Sequence, residues 1–333
     1  MRRTPAPRGH QRGAALLLAL VVVTVIASLA GSMVWHQWRS VQAESAERAR
    51  LQAHWVLLGA LDWGRLILRE DSRGSQIDHL GEPWALPLQE ARLSTFLAEG
   101  REDLEDNPAL QAFVSGAITD AQSRFNLRNL VVNGALSVPA LRTLERIARA
   151  AEVEPAVVGL ISQGVQRSWL PKPAEGQQAT ASAAAMLSPE RLSDLSWWGV
   201  APQDLERLRP WLSLLPVPTP LNVNTATAPL LAVALEGVDT ALAQRIVQQR
   251  STAPFKSTEA VLALLPPSEG GNRAAGLSVQ SNFFELQGRL RLGQRLFEER
   301  ILVERRQLDM VVLSRERLAP GVARPNPVSL QSP

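Results

Sequence analysis

The chain has 333 residues, room for two or more compact domains. Its 35 basic and 32 acidic residues give a formal charge of +3, but Arg2, Arg3, Arg8 and Arg12 all precede Gly13; without those four the balance is −1, which excludes a bulk electrostatic footprint for nucleic acid. There is no cysteine, so a disulfide framework and a thiolate metal site are excluded, while the compartment stays open.

From Ala14 the sequence AALLLALVVVTVIASLAGSMVW carries no charge, and with His36 neutral none follows until Arg39. At about 1.5 Å per helical residue this run covers roughly 30 Å, the hydrocarbon thickness of a bilayer. The helical period continues beyond it: Val41, Ala53, Leu57, Leu61, Gly64 and Leu68 mark one face, and Glu44 pairs with Arg48 on another. No breaker intervenes before Gly74, so the spacing predicts one long helix. Three fates compete for its start. A signal peptide would be cut after Ser28-Leu29-Ala30, a signal anchor would keep everything, and a type IV prepilin leader would be cut after Gly13. The amphipathic continuation favours the third, because a discarded signal gives no reason for helix to run past its cleavage point.

Further along, Ser72 to Pro87 reads as a Gly- and Pro-rich loop around Trp84 carrying a short strand, and Ala91 to Leu97 as a short helix. Glu102, Asp103, Glu105 and Asp106 read as a solvated acidic face, since no EF-hand ladder accompanies them. Ala112 to Thr119 alternates as a half-buried strand, turned at Asp120 to Ser123 into Phe125-Asn126-Leu127. From Leu130 to about Ala275 the period is helical. One stripe is Leu141, Leu144, Ile147 and Ala148, a second is Val157, Val158, Leu160 and Ile161, and a third is Leu205, Leu208, Leu212 and Leu215. Lys172 to Met186 is a low-complexity excursion.

After Pro220 the pattern is helix, tight turn, helix, loop, helix, with Thr225 or Thr227 as cap and Pro229 in the first turn. Asn222 and Asn224 are expected to bond local backbone at that entry. Beyond Gly276 the period returns to two: Phe284, Leu286, Gly288, Leu290 and Leu292 alternate with charged or polar residues, and Ile301 to Val303 and Met310 to Leu313 suggest two more strands. The tail from Ala319 reads as disordered. The expected fold class is α+β, a long N-terminal helix packed on an antiparallel sheet that is interrupted by a large inserted all-α block.

These residues together resemble the GspK family, the large minor pseudopilins of type II secretion. The resemblance rests on Arg12-Gly13-Ala14, the uncharged helix, Gly81-Glu82-Pro83-Trp84-Ala85, Asp120-Ala121-Gln122-Ser123-Arg124-Phe125-Asn126-Leu127, and Leu221-Asn222-Val223-Asn224-Thr225-Ala226. It implies a prepilin leader at 1–13, a transmembrane helix at 14–36, a pilin-like domain at 37–128 and 276–317, SAM-like helical parts at 129–220 and 221–275, and a disordered tail at 318–333. It further implies cleavage between Gly13 and Ala14 by a prepilin peptidase, and a single-pass protein of the bacterial inner membrane with its C-terminal domain in the periplasm. The implied partners are other minor pseudopilins of the GspI, GspJ and GspH types and the inner-membrane secretion platform. Leu18, fifth from Ala14, stands where most pilin-like subunits carry a glutamate that meets a neighbour's N-terminal amine, so the family resemblance implies a subunit at the tip. Family members also hold calcium near the middle of the helical block. Here that region is Trp169 to Pro173 and the Ala-rich excursion, so no cofactor is expected.

Two other classes are weighed. Leu221 to Leu265 also resembles the helix-hairpin-helix of membrane-anchored DNA receptors, but Gly237-Val238-Asp239 places Asp where a phosphate would sit, with Arg245 and Arg250 nearby. An enzyme finds no support: there is no Gly-x-Ser-x-Gly elbow, phosphate-cradling loop or His-Glu-x-x-His, and the four histidines are scattered.

Overall fold

A computed structural model describes residues 12–93, 112–170, 187–266, 276–293 and 295–318. The chain divides into two compact units, Met1–Val56 and Leu57–Pro333. Helix α1 spans Arg12–Gly74. Over residues 16–34 of its first unit the apolar side chains, among them Leu18, Val25, Leu29 and Val34, are solvent-exposed. Thr24, Ser28 and Ser32 turn their hydroxyls back onto the carbonyls of Val21, Thr24 and Leu29, so the helix itself satisfies the hydroxyls of that stretch.

The second unit is built on a five-stranded sheet. Its strands are β1 (Leu88–Arg92), β2 (Ala112–Asp120), β3 (Phe283–Leu292), β4 (Arg295–Arg306) and β5 (Asp309–Leu318), paired antiparallel in the order β1-β2-β3-β4-β5. The end of α1 lies on one face. Leu61 and Leu68 join Trp84, Phe284, Leu286, Ile301, Val303 and Met310 in one buried cluster. Gly288 makes this close approach possible, because a Cβ there would stand 3.2 Å from Leu57 and 3.4 Å from Leu61.

Between β2 and β3 the chain makes the helical block. It contains α2 (Val138–Ala150), α3 (Pro155–Ser168), α4 (Pro202–Leu208), α5 (Ala228–Ala234), α6 (Thr240–Thr252) and α7 (Thr258–Leu262). The expected stripes Leu144, Ile147 and Ala148 on α2 and Val157, Val158 and Ile161 on α3 meet in a single apolar core that reaches Val279. Ser137, Thr227 and Asp239 accept N-terminal backbone N–H groups of α2, α5 and α6.

Four expectations change. Ser72 to Pro87 is loop as expected apart from the end of α1 and a single turn at Pro83–Ala85, but the short strand expected within it is not there, β1 starting at Leu88. Ala91 and Arg92 belong to β1, since pairing with β2 decides their conformation; the remainder of the expected helix from Ala91 to Leu97 lies almost wholly outside the described residues. The third stripe is not one helix. Pro210 ends it, and Leu212–Ser213 pairs in parallel with Phe125–Asn126, although Leu212 and Leu215 are still buried. Finally, the polar face of β3 is not simply solvated, because Phe283 is buried and Glu285 pairs with Arg124 at 2.8 Å. The acidic run Glu102 to Asp106, the excursion Lys172 to Met186 and the tail from Ala319 lie outside the described residues.

Candidate functional site

Two features carry functional information: the exposed faces of α1 and a buried polar junction at one end of the sheet. Gly13 and Ala14 fall in the first turn of α1, and Leu18 is exposed. The window of highest hydropathy on this helix averages 2.5 and is wholly uncovered, long and apolar enough to cross a membrane. It closes on Trp35 and Trp38, with the Arg39 guanidinium 4.8 Å from the Trp35 ring, the aromatic and cationic pairing found at a membrane surface. Leu51 and Trp55 in the first unit, and Trp63 and Leu66 in the second, also face solvent. Exposed tryptophan and leucine on a helix are the residue types that protein interfaces use.

The junction brings together motifs far apart in sequence. Asp120, 3% exposed at the end of β2, accepts four hydrogen bonds: from the Gln122 N–H at 2.7 Å, Asn222 Nδ2 at 2.9 Å, and the Thr225 and Ser281 hydroxyls at 2.6 Å each. Asp78 accepts from the Ser281 N–H at 2.7 Å and from Arg305 at 2.7 Å, and its carbonyl accepts from Asn222 at 3.1 Å. Arg305 also reaches Asp71 at 3.3 Å and lies over Phe284, which Trp84 meets edge-on. Glu82 accepts from the Trp84 indole at 2.7 Å and from the His79 N–H at 3.0 Å. Burial pushes Asp78 up to about 7 against the pull of Arg305. Burial and the neighbouring Glu82 push Asp71 up to about 6, with Arg305 opposing. Burial raises Asp120 too, opposed by its hydrogen-bond donors.

This network corrects the reading of the asparagines. Asn222 does make one local bond, accepting from the Asn224 N–H at 2.9 Å, but its amide donates to Asp78, Asp120 and Ser281 across the fold. Asn224 pairs with the backbone N–H and carbonyl of Phe255, both at 3.0 Å. Sequence reasoning missed Asp71, Asp78, Ser281 and Arg305. The available signal was a pair of carboxylates, Asp78 and Glu82, inside a stretch otherwise read as a Gly- and Pro-rich loop.

What the junction can do is hold segments together. Its two hydroxyls, Thr225 and Ser281, are buried and committed to Asp120. Asp71, Asp78 and Glu82 bring carboxylate oxygens within 4.8 Å of one another, a spacing open to a divalent cation, but Arg305 already supplies positive charge to two of them. At the start of the region where the family resemblance implies calcium, Trp169 meets Trp198 edge-on with ring centroids 5.3 Å apart and carries the Arg128 guanidinium 4.1 Å from its ring; the rest of that region, 171–186, lies outside the described residues. In the helix-hairpin-helix segment, Asp239 is engaged in capping α6, and Arg250 is half-buried with its guanidinium donating to the Val223 carbonyl, its pKa lowered by desolvation to about 10.

A long N-terminal helix with an uncovered apolar start and an end packed on an antiparallel sheet defines a pilin-like subunit, here enlarged by a helical block within the sheet. Residues 221–280 match the family described as type II secretion system (T2SS), protein K. The type II secretion system protein K of Pseudomonas aeruginosa is 28% identical over 86% of this chain and 87% of its own length, and that of Pectobacterium carotovorum 27% over 89% and 93%. A chain in the crystal structure of the GspK-GspI-GspJ complex from enterotoxigenic Escherichia coli shares the fold, with a TM-score of 0.62 and 21% identity over 82% of this chain and 98% of that one. The chain is thus similar to type II secretion system protein K along most of its length.

Proposed function

We propose that this minor pseudopilin is made as a precursor, cut between Gly13 and Ala14 by a prepilin peptidase, and placed at the tip of a short pseudopilus that supports export of folded proteins across the outer membrane. The single observation that carries the reading is α1 itself. It runs unbroken from Arg12 to Gly74, through Ser28-Leu29-Ala30 where a signal peptidase would act, with an uncovered apolar surface for most of its first unit. The apolar start would sit in the inner membrane, arginines on the cytoplasmic side and the sheet and helical block in the periplasm. Partners are other minor pseudopilins, as the relative solved in complex with GspI and GspJ suggests, and the secretion platform. Leu18 supports a first position, because an apolar side chain offers no carboxylate to a subunit already assembled. The role is structural: the junction gives the helical block a fixed seat, and no metal is required for it. The occupied Asp239 and the Arg250 guanidinium turned onto the Val223 carbonyl weigh against the DNA-receptor reading.

N-terminal sequencing of the mature protein tests the proposal. Ala14 is the expected first residue; Gly31 would identify a discarded signal and Met1 a simple anchor, and either sinks it.

A further inference from the structure

Between the helical block and the face of the sheet opposite α1 lies a cavity of about 70 Å³, lined by four arginines, three glutamates and three serines. At roughly 10–15 Å³ per water-sized group, it has room for about five heavy atoms. Two of its donors are orphans. Ser213, 3% exposed, has a buried hydroxyl with no hydrogen-bond partner among the described residues, and the buried Nε of Arg209 also lacks one. An Arg Nε–H can only donate, so this pair asks for an acceptor. The surroundings say which kind. Glu285 stands half-buried at the cavity wall, and its desolvation alone would raise its pKa; Arg124, Arg300 and Arg209 together nevertheless hold it below the ordinary range. The potential here is positive enough to overcome the desolvation of one carboxylate.

We propose that this cavity binds one small oxyanion, of the carboxylate or phosphate type, which accepts from the Ser213 hydroxyl and the Arg209 Nε–H and lies against the Arg300 guanidinium. The anion bridges the two structural parts, because Ser213 and Arg209 belong to the helical block whereas Arg300 is on β4. It stiffens that joint independently of the polar junction. The site has no place in the assembly reading above and survives its failure.

The test uses the full-length protein in detergent, unfolded by heat in phosphate, acetate or chloride at matched ionic strength. Phosphate or acetate at a hundred times half-saturation should raise the midpoint by roughly 5 °C in a saturable way. Ser213→Ala and Arg300→Gln should each lose most of that rise. Should Arg300→Gln fail to fold in chloride, Ser213→Ala, which removes one hydroxyl, carries the test. Equal midpoints in all three salts, or an undiminished rise in Ser213→Ala, overturn the proposal. The source of the anion is read separately, by capturing a sister subunit on the immobilised protein. Competition by phosphate identifies an acidic side chain of that subunit as the natural occupant, and capture indifferent to phosphate identifies a free ion.

Discussion

The helical block and the junction beside it are both buried, yet they are held by opposite means. In the block, Leu144, Ile147, Ile161, Val165 and Leu208 are fully buried in one apolar cluster, and many similar side chains of the same volume would serve. In the junction a single carboxylate, Asp120, collects donors from separate segments of the chain. Apolar burial supplies most of the stability, whereas the polar cluster selects one orientation of the block against the sheet. For a protein whose work is done by surfaces, that orientation is what a neighbouring subunit meets.

The largest effect expected is at that cluster. Asp120→Ala leaves the buried Ser281 hydroxyl without its acceptor and takes one from each of Asn222 and Thr225, and should cost about 4 kcal/mol in urea unfolding. A cost below that of an ordinary surface change would break the contrast. Gly164 in α3 probes the other side. A Cβ there would stand 2.1 Å from the Trp198 ring, so Gly164→Ala should cost about 3 kcal/mol and shift the tryptophan emission as the ring is displaced.

The pH dependence sharpens the comparison further. Asp71 and Asp78, raised to about 6 and about 7, bind protons in the folded state over a range where the unfolded chain, with carboxyls near 3.8, does not. Their contribution to stability is therefore fully present below that unfolded value and is lost as pH rises to about 7. Thermal midpoints should rise by about 3 °C on going from pH 7.5 to 5, and Asp78→Asn should flatten the profile. A midpoint that falls over that interval in the parent, unchanged by the substitution, removes the two carboxyls as its cause. The smallest effect is Asp239→Ala, which deletes the α6 cap and should cost about 1 kcal/mol. It should also leave the protein without salt-sensitive affinity for duplex DNA in a mobility-shift assay.

The same contrast explains what could be read from sequence. α1, the stripes of α2 and α3 and the alternation of β3 are local patterns with a fixed period, and all three appear where the spacing put them. The ladders that close the sheet were partly legible for the same reason. The junction was not. Asp78 and Arg305 are 227 positions apart, and nothing in the period of either segment marks a charged residue on a strand as the partner of a carboxylate in a distant loop. The asparagines were recognised as structural, but their reach was underestimated because only one of their bonds is local. β1 was missed because its conformation is imposed by β2 and its own residues favour no single state.

One feature of the sheet bears on biogenesis. β2 pairs with β3 along nine positions, from Ala112 opposite Leu292 to Asp120 opposite Phe284, with the whole helical block lying between them in the chain. A polypeptide threaded across a membrane from its N-terminus would thus expose the unpaired rim of β2 until almost all of its length has emerged. Export would have to outlast a vulnerable interval in which the early strand waits for its late companion, and slowing synthesis near the C-terminus should make that interval visible as added sensitivity to proteases.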